Sequence, residues 1–273
     1  MRAPAGLRLT LRSDPEQRLD LSPLVPHRLA GMDAGAIERL ALNTTRRPVV
    51  VGDLFRLRPG DPARLAITGG SERFDEVGAG MQGGELVLDG DAGFGAGRGM
   101  VAGTLRIAGS AGDHAACDLR GGTIEIAGDA GAFLGGARPG ERGGMRGGTV
   151  LVLGDAGARA GDHLRRGLIV IEGHAGDHPG SRMVAGTLVV CGTAGALPGY
   201  LLRRGTLVLG RAPSLSPTFV DSGATDPVFA RLLARLLRPV SQRAARLAAT
   251  ATRRLAGDMA VLGKGELLLP DRA

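Results

Sequence analysis

Three aspartate–histidine pairs are the first candidates for chemistry in this chain: Asp113-His114, Asp162-His163 and Asp177-His178. Imidazole and carboxylate bind zinc, and the same two groups form general-base pairs. Cys117 and Cys191, the only cysteines, add two thiols. Gly78-Ala79-Gly80-Met81-Gln82-Gly83 matches the glycine fingerprint that lets a backbone approach a dinucleotide pyrophosphate. Residues 257–265 resemble a phosphate loop, but one residue too many precedes Gly263-Lys264, and Gly265 stands where magnesium needs a hydroxyl.

Each of these groups must be placed by an element, and the elements follow from a repeat. A glycine followed by a short alternating apolar run returns at Gly84, Gly103, Gly122, Gly148, Gly167, Gly186 and Gly205. The spacing is 19 residues except once, where it is 26. Segments such as Leu86-Val87-Leu88 and Ile169-Val170-Ile171 have strand periodicity. Three residues before each repeat glycine stand Met81, Met100, Leu119, Met145, Leu164, Met183 and Leu202. These seven predict an unbroken ladder of long apolar side chains in the core. A period of 19 is too short for a strand plus a helix, and it fits one turn of a parallel β-solenoid stacked at about 4.8 Å. The expected fold is all-β: a right-handed parallel β-helix with 19-residue coils and flanking C-terminal α-helices.

The repeat reduces the chemical candidates. Asp113 and Asp177 share a column but lie three turns apart, about 14 Å, too far to hold one ion. His163 and His174 fall in other columns. The aspartates and histidines are therefore expected as solvated corner residues, with no metal site. Cys117 and Cys191 are four turns apart, too distant for a disulfide. The dinucleotide fingerprint needs a helix after it, and here the repeat follows. No nucleophile elbow and no carboxylate pair for acid–base work stands out. No residue is assigned a catalytic role.

Composition agrees. The 273 residues include 47 glycines, one tyrosine and no tryptophan, so aliphatic side chains must fill the core. The formal charge is +7, and Lys264 is the single lysine, so arginine carries nearly all of it. Without stacking aromatics or a basic run, nucleic acid is not expected as a partner. Acidic protein partners or an acidic cofactor tail suit the charge better. Residues 1–10 lack an apolar signal core, and no apolar run approaches a membrane span. A cytoplasmic protein off the membrane is expected.

The chain divides into an N-terminal cap region (1–48), the β-helix (49–212) and a C-terminal helical extension and tail (213–273). Residues 7–11 read as a strand and 33–42 as a short helix. Residues 49–51 and 65–67 read as irregular turns before the first full repeat. Pro213 and Pro217 mark a linker. Asp226-Pro227 reads as a helix cap, and Val228, Phe229, Leu232, Leu233, Leu236 and Leu237 form the expected packing stripe. A second helix is expected over 242–255. These helices would close the solenoid's open end or pack on its flank.

The long spacing reflects seven inserted residues near 137–143, within which lies Arg138-Pro139-Gly140-Glu141-Arg142. Loops inserted on solenoids often meet partners. A solvated loop is the simpler reading. Contact with another subunit is the functional one, in which Arg138, Arg142 and Arg146 also meet an acidic cofactor tail through charge-assisted hydrogen bonds.

The repeat, with Gly128-Asp129-Ala130-Gly131 and Val77-Gly78-Ala79-Gly80-Met81-Gln82-Gly83-Gly84, resembles the C subunit of formylmethanofuran dehydrogenase. It also resembles the C-terminal β-helix of glutamate synthase. The flanks favour the first: Val51-Gly52-Asp53-Leu54-Phe55, the stretch 26–40, Gly257-Asp258, and Gly263-Lys264-Gly265-Glu266-Leu267-Leu268. The segment 43–47 departs from the pattern, which has a glycine there.

The resemblance spans nearly the whole chain. Within that family, the arginine- and alanine-rich composition is most like the C subunit of the bacterial formyltransferase/hydrolase complex. It implies a non-catalytic scaffold subunit, with subunits A, B and D as partners. It implies that the complex carries a formyl group from formyl-tetrahydromethanopterin to a methanofuran-like carrier, methylofuran, and releases formate in one-carbon metabolism. Methylofuran and zinc would sit elsewhere in the complex. The alternatives are the C subunit of a tungsten or molybdenum formylmethanofuran dehydrogenase, and a glutamate-synthase-like domain. A stand-alone β-helix enzyme would need clustered acids and bases on adjacent turns, which are not evident.

Overall fold

The structure is a computed structural model that describes residues 5–44, 46–212 and 214–270. Pro213 of the expected linker, Thr45 of the departing segment, and residues 1–4 lie outside the described residues.

The repeat glycines lead into seven strands: β8 (Gln82–Asp89), β9 (Ala102–Ile107), β10 (Thr123–Ile126), β11 (Arg146–Val152), β12 (Arg166–Ile171), β13 (Thr187–Thr193) and β14 (Arg204–Arg211). Each pairs in parallel with the next, in a register that follows the repeat. Leu86, Leu105, Ile124, Val150, Ile169, Leu188 and Leu207 therefore form one line across the sheet. All seven are buried, as are the seven methionines and leucines of the predicted ladder. Gly103 shows why glycine recurs at the corner. Its φ is +97°, and a Cβ there would lie 2.5 Å from the Gly84 carbonyl oxygen.

A second line of contact closes each repeat. Ala92, Ala111, Ala130, Ala156, Ala175 and Ala194 form successive parallel bridges, each with the next. They are small and buried, so the chain can approach itself closely on that side.

Upstream elements extend this sheet. In order they are β1 (Gly6–Leu11), β2 (Leu19–Asp20), α1 (Pro26–Leu29), α2 (Ala34–Glu38), β3 (Ala41–Thr44), β4 (Val49–Val50), α3 (Val51–Leu54), β5 (Phe55–Arg58), β6 (Asp61–Thr68) and β7 (Phe74–Asp75). Downstream come β15 (Val220–Ala224), α4 (Pro227–Leu237), α5 (Gln242–Thr250), β16 (Arg253–Gly257) and β17 (Lys264–Leu269). The main sheet has 13 strands, ordered β15-β16-β17-β14-β13-β12-β11-β10-β9-β8-β6-β1-β5. It is parallel through its middle, with antiparallel pairs at both ends. A second sheet of four strands runs β4-β3-β2-β7.

Several expectations change. Val49 and Val50 pair antiparallel with β3 in the small sheet and do not form a turn before the repeats. The helix expected over 33–42 ends at Glu38, because residues 41–44 form β3. Leu255 lies in β16 and not in the second helix. Asp226 caps α4 as expected, accepting from the Val228 and Phe229 amides. Helix α5 packs on the flank of the sheet against β13 and β14, and α4 packs on α5; Leu233, Ala234, Leu237, Ala244, Ala245 and Ala248 share one buried cluster with Leu168, Val170, Val189, Val208 and Leu268. The open side of β14 is covered by β17, which pairs with it in parallel.

Candidate functional site

The polar corner residues knit neighbouring repeats together. Asp91 accepts the Ser110 amide, Asp129 the Asp155 amide, and Asp155 the His174 amide, each at 2.7 Å. In a second column Asp113 accepts the Ala132 amide and Asp177 the Ala196 amide, also at 2.7 Å. In each carboxylate Oδ1 is taken up by the backbone of the next repeat.

Two expected solvated corners are buried. The Asp162 side chain is 3% exposed and is held by Ser181, Arg182 and His163. His114 lies between two aromatic rings, with centroids 4.9 Å from Phe133 and 5.2 Å from Phe94. Burial pulls its pKa below the ordinary histidine value, against the opposing pull of Asp113. Burial pushes the Cys117 thiol up to about 12 and Cys191 up to about 11, so both stay protonated and weakly nucleophilic near neutrality. No group of three or more His, Cys, Asp or Glu among the described residues is arranged to hold a metal ion. The dinucleotide-like glycines run into β8 without a helix, and residues 257–265 connect the antiparallel pair β16–β17.

The three arginines singled out in and beside the insertion have separate partners. The Arg138 guanidinium sits over the Phe94 ring, 5.2 Å from its centroid, and 3.9 Å from Glu76. Glu76 is buried and pairs with Arg98 at 2.7 Å; burial nonetheless holds its carboxyl above the usual range. Arg142 is exposed, and its carbonyl accepts from Arg165. Arg146 lies 2.7 Å from Asp118, an ion pair without hydrogen-bond alignment, and Arg120 shares that carboxylate.

Arg146 also belongs to a larger feature. A cleft of about 580 Å³ is lined by Arg146, Arg165, Arg166, Arg203, Arg204 and Leu262. Among the described residues no carboxylate pairs with Arg165, Arg166, Arg203 or Arg204. Arg146 and Arg166 stand opposite each other on adjacent strands, where like charges repel, so the cleft is suited to an anion through charge-assisted hydrogen bonds. Reading the insertion alone missed it. The signal was present two residues before the repeat glycine, where Arg120, Arg146, Arg165 and Arg203 share a column.

The fold and this surface define a glycine-rich, repeat-built, mainly parallel β protein with a basic cleft on its side. Its relatives place it further. The chain is 52% identical over 262 residues to the C subunit of the formyltransferase/hydrolase complex Fhc of Methylorubrum extorquens, covering 96% of this chain and 98% of that one. It superposes with a TM-score of 0.93 on a chain of the crystal structure of the formyltransferase/hydrolase complex FhcABCD from the same organism, in complex with methylofuran. That match has 45% identity and covers 97% of this chain and all of the other. No protein-family model matches the chain. The chain belongs to the family of the C subunits of formyltransferase/hydrolase complexes.

Proposed function

We propose that this chain is the non-catalytic scaffold subunit of a cytoplasmic formyltransferase/hydrolase complex. Subunits A, B and D are its partners. The complex moves a formyl group from formyl-tetrahydromethanopterin to a methylofuran carrier and releases formate. The observation that carries the reading is the full-length likeness, in sequence and in fold, to a subunit of one such complex.

The shape proposed for residues 49–212 is a right-handed parallel β-helix, capped by residues 1–48 and flanked by 213–273. Two contact lines per repeat, one of strands and one of alanine bridges, support it. Right-handed crossovers are the rule between parallel strands. Such a rod has little internal freedom, so it holds two active sites at a fixed separation with little entropic cost. The use of corner carboxylates as caps for the next repeat supports a structural role. Among the described residues, no helix is long and apolar enough to cross a membrane. Arg138, Arg142 and Arg146 are proposed to meet an acidic carrier tail.

The test is to tag the chain in its native host, purify gently and identify co-purifying chains. A formyltransferase and an amidohydrolase-like subunit are the expected recoveries, and the isolated chain should hydrolyse no formyl carrier. Metal-pterin and iron–sulfur partners would move it to a dehydrogenase. A lone chain with hydrolase activity would overturn the scaffold reading.

A further inference from the structure

Helix α4 buries the smaller side of its apolar surface. Ala230, Leu233, Ala234 and Leu237 are buried, while Val228, Phe229, Leu232 and Leu236 are 54, 37, 61 and 60% exposed. Val228, Leu232 and Leu236 follow each other at intervals of four, so the exposed groups make one stripe along the helix. Rotation cannot hide this stripe, because the opposite side of α4 is already packed on α5, within the buried cluster that α5 shares with the sheet. A row of large side chains this exposed marks a contact surface.

The surroundings of the stripe select the occupant. From Pro227 to Thr250 the chain carries Arg231, Arg235, Arg238, Arg243 and Arg246 and no Asp or Glu. All five arginines are exposed, and none pairs with a carboxylate among the described residues. A second copy docking by two-fold symmetry would set this arginine field against itself. We infer that the exposed stripe of α4 seats a different protein subunit, through an apolar patch bordered by carboxylates. The leucines exclude water at the centre, and the arginines fix the partner's register at the rim. This rests on the proposed place of the chain in an assembly, and it names the surface by which the chain joins it.

The experiment places the photo-crosslinker p-benzoylphenylalanine at Leu232 of the tagged full chain in its native host. A covalent adduct to a different subunit, at a peptide carrying Asp or Glu, is expected. The double variant Leu232→Glu/Leu236→Glu should keep the native melting temperature, since both side chains are exposed. It should lose co-purifying subunits by about tenfold or more. Arg235→Glu should weaken recovery in the same direction. An adduct only to a second copy, an adduct only to lipid, or undiminished co-purification of the double variant overturns the inference and leaves the scaffold reading standing. A native chain that recovers no other subunit overturns both.

Discussion

Asp162 and Ser181 occupy neighbouring repeats, and the Ser181 hydroxyl donates to Asp162 Oδ1 at 2.5 Å. Arg182 donates to both carboxylate oxygens, at 3.0 and 2.9 Å, and His163 Nδ1 lies at 2.8 Å. A carboxylate this buried is tolerated because its lone pairs are filled. Asp162→Ala would strand all three partners at once. Arg182 is partly open to water, which moderates the loss, and about 2–3 kcal/mol is expected. Ser181→Ala should cost about 1 kcal/mol. Urea unfolding measures both, and an Asp162→Ala midpoint equal to the native one would deny the network any part in stability.

Glycines of the same backbone class should differ sharply in tolerance. Gly140, in the insertion, has φ +85° and open space around its added Cβ. Gly140→Ala therefore pays only for the backbone, about 1 kcal/mol. Gly103 has φ +97°, and its Cβ would meet the Gly84 oxygen at 2.5 Å and the Met81 methyl at 2.6 Å. Gly103→Ala must separate two stacked strands, and about 3 kcal/mol or more is expected. Equal losses at the two positions would mean that the corner spacing is soft.

The ladder side chains offer a third measurement. Met145 and Leu164 are fully buried in successive repeats, on either side of the strand that follows the insertion. Leu164→Ala should cost about 2–5 kcal/mol, as a cavity in a packed interior does. Thermal melting with two probes would also show whether the repeats unfold as one unit, and a loss below about 1 kcal/mol would contradict the packing.

What was legible in the sequence was whatever repeats. Leu86, Leu105 and Ile124 announce strands and their mutual register, because each parallel neighbour presents the same column. What resisted reading depends on contacts between unlike segments. Leu232 and Leu233 look equivalent in the stripe of α4, yet one is 61% exposed and the other 6%. Six large apolar residues span more than one face of an eleven-residue helix, and α4 packs on α5 with only the side that carries the buried Ala230 and Ala234. Asp113 is exposed, as expected of a corner, but the donor it accepts from, the Ala132 amide, belongs to the next repeat. Its column showed the position, but not that a backbone donor waits there. Val49 and Val50 have strand character, and nothing local says which of two sheets they join.

The aromatic column around His114 predicts a pH dependence. His114 is 8% exposed, and its Nδ1 has no hydrogen-bond partner among the described residues. Burial lowers its pKa from 6.5; Arg138 acts in the same direction, while Asp113 and Glu141 oppose. Below the unfolded value the unfolded chain binds a proton that the folded chain resists, so stability falls as pH drops through about 6.5 and downward. His114→Phe keeps a flat ring between Phe94 and Phe133 and removes the proton site. Its stability relative to native should therefore improve steadily from pH 7 to pH 5. A constant difference over that range would show that His114 does not titrate differently on folding.

The insertion arginines are the last point at which structure and proposed role can be separated. Arg146 is held by Asp118, and Arg138 is held over Phe94 beside Glu76. Arg142 has no carboxylate partner among the described residues and is fully available to an anion. Arg138→Ala should lose about 0.5–1 kcal/mol of stability from the ring contact, whatever else it does. Arg142→Ala should cost no stability, so any effect of it on the complex reports binding. In the native assembly, Arg138→Ala/Arg142→Ala should loosen the carrier or a neighbouring subunit. The defect relative to native should be largest at low salt and shrink as salt is raised, because screening also weakens the charge contacts that the native arginines make. Carrier content, subunit recovery and formate release across a salt series measure it. If all three match the native complex, the loop is solvated and the anion contact must be sought in the cleft of Arg165, Arg166, Arg203 and Arg204.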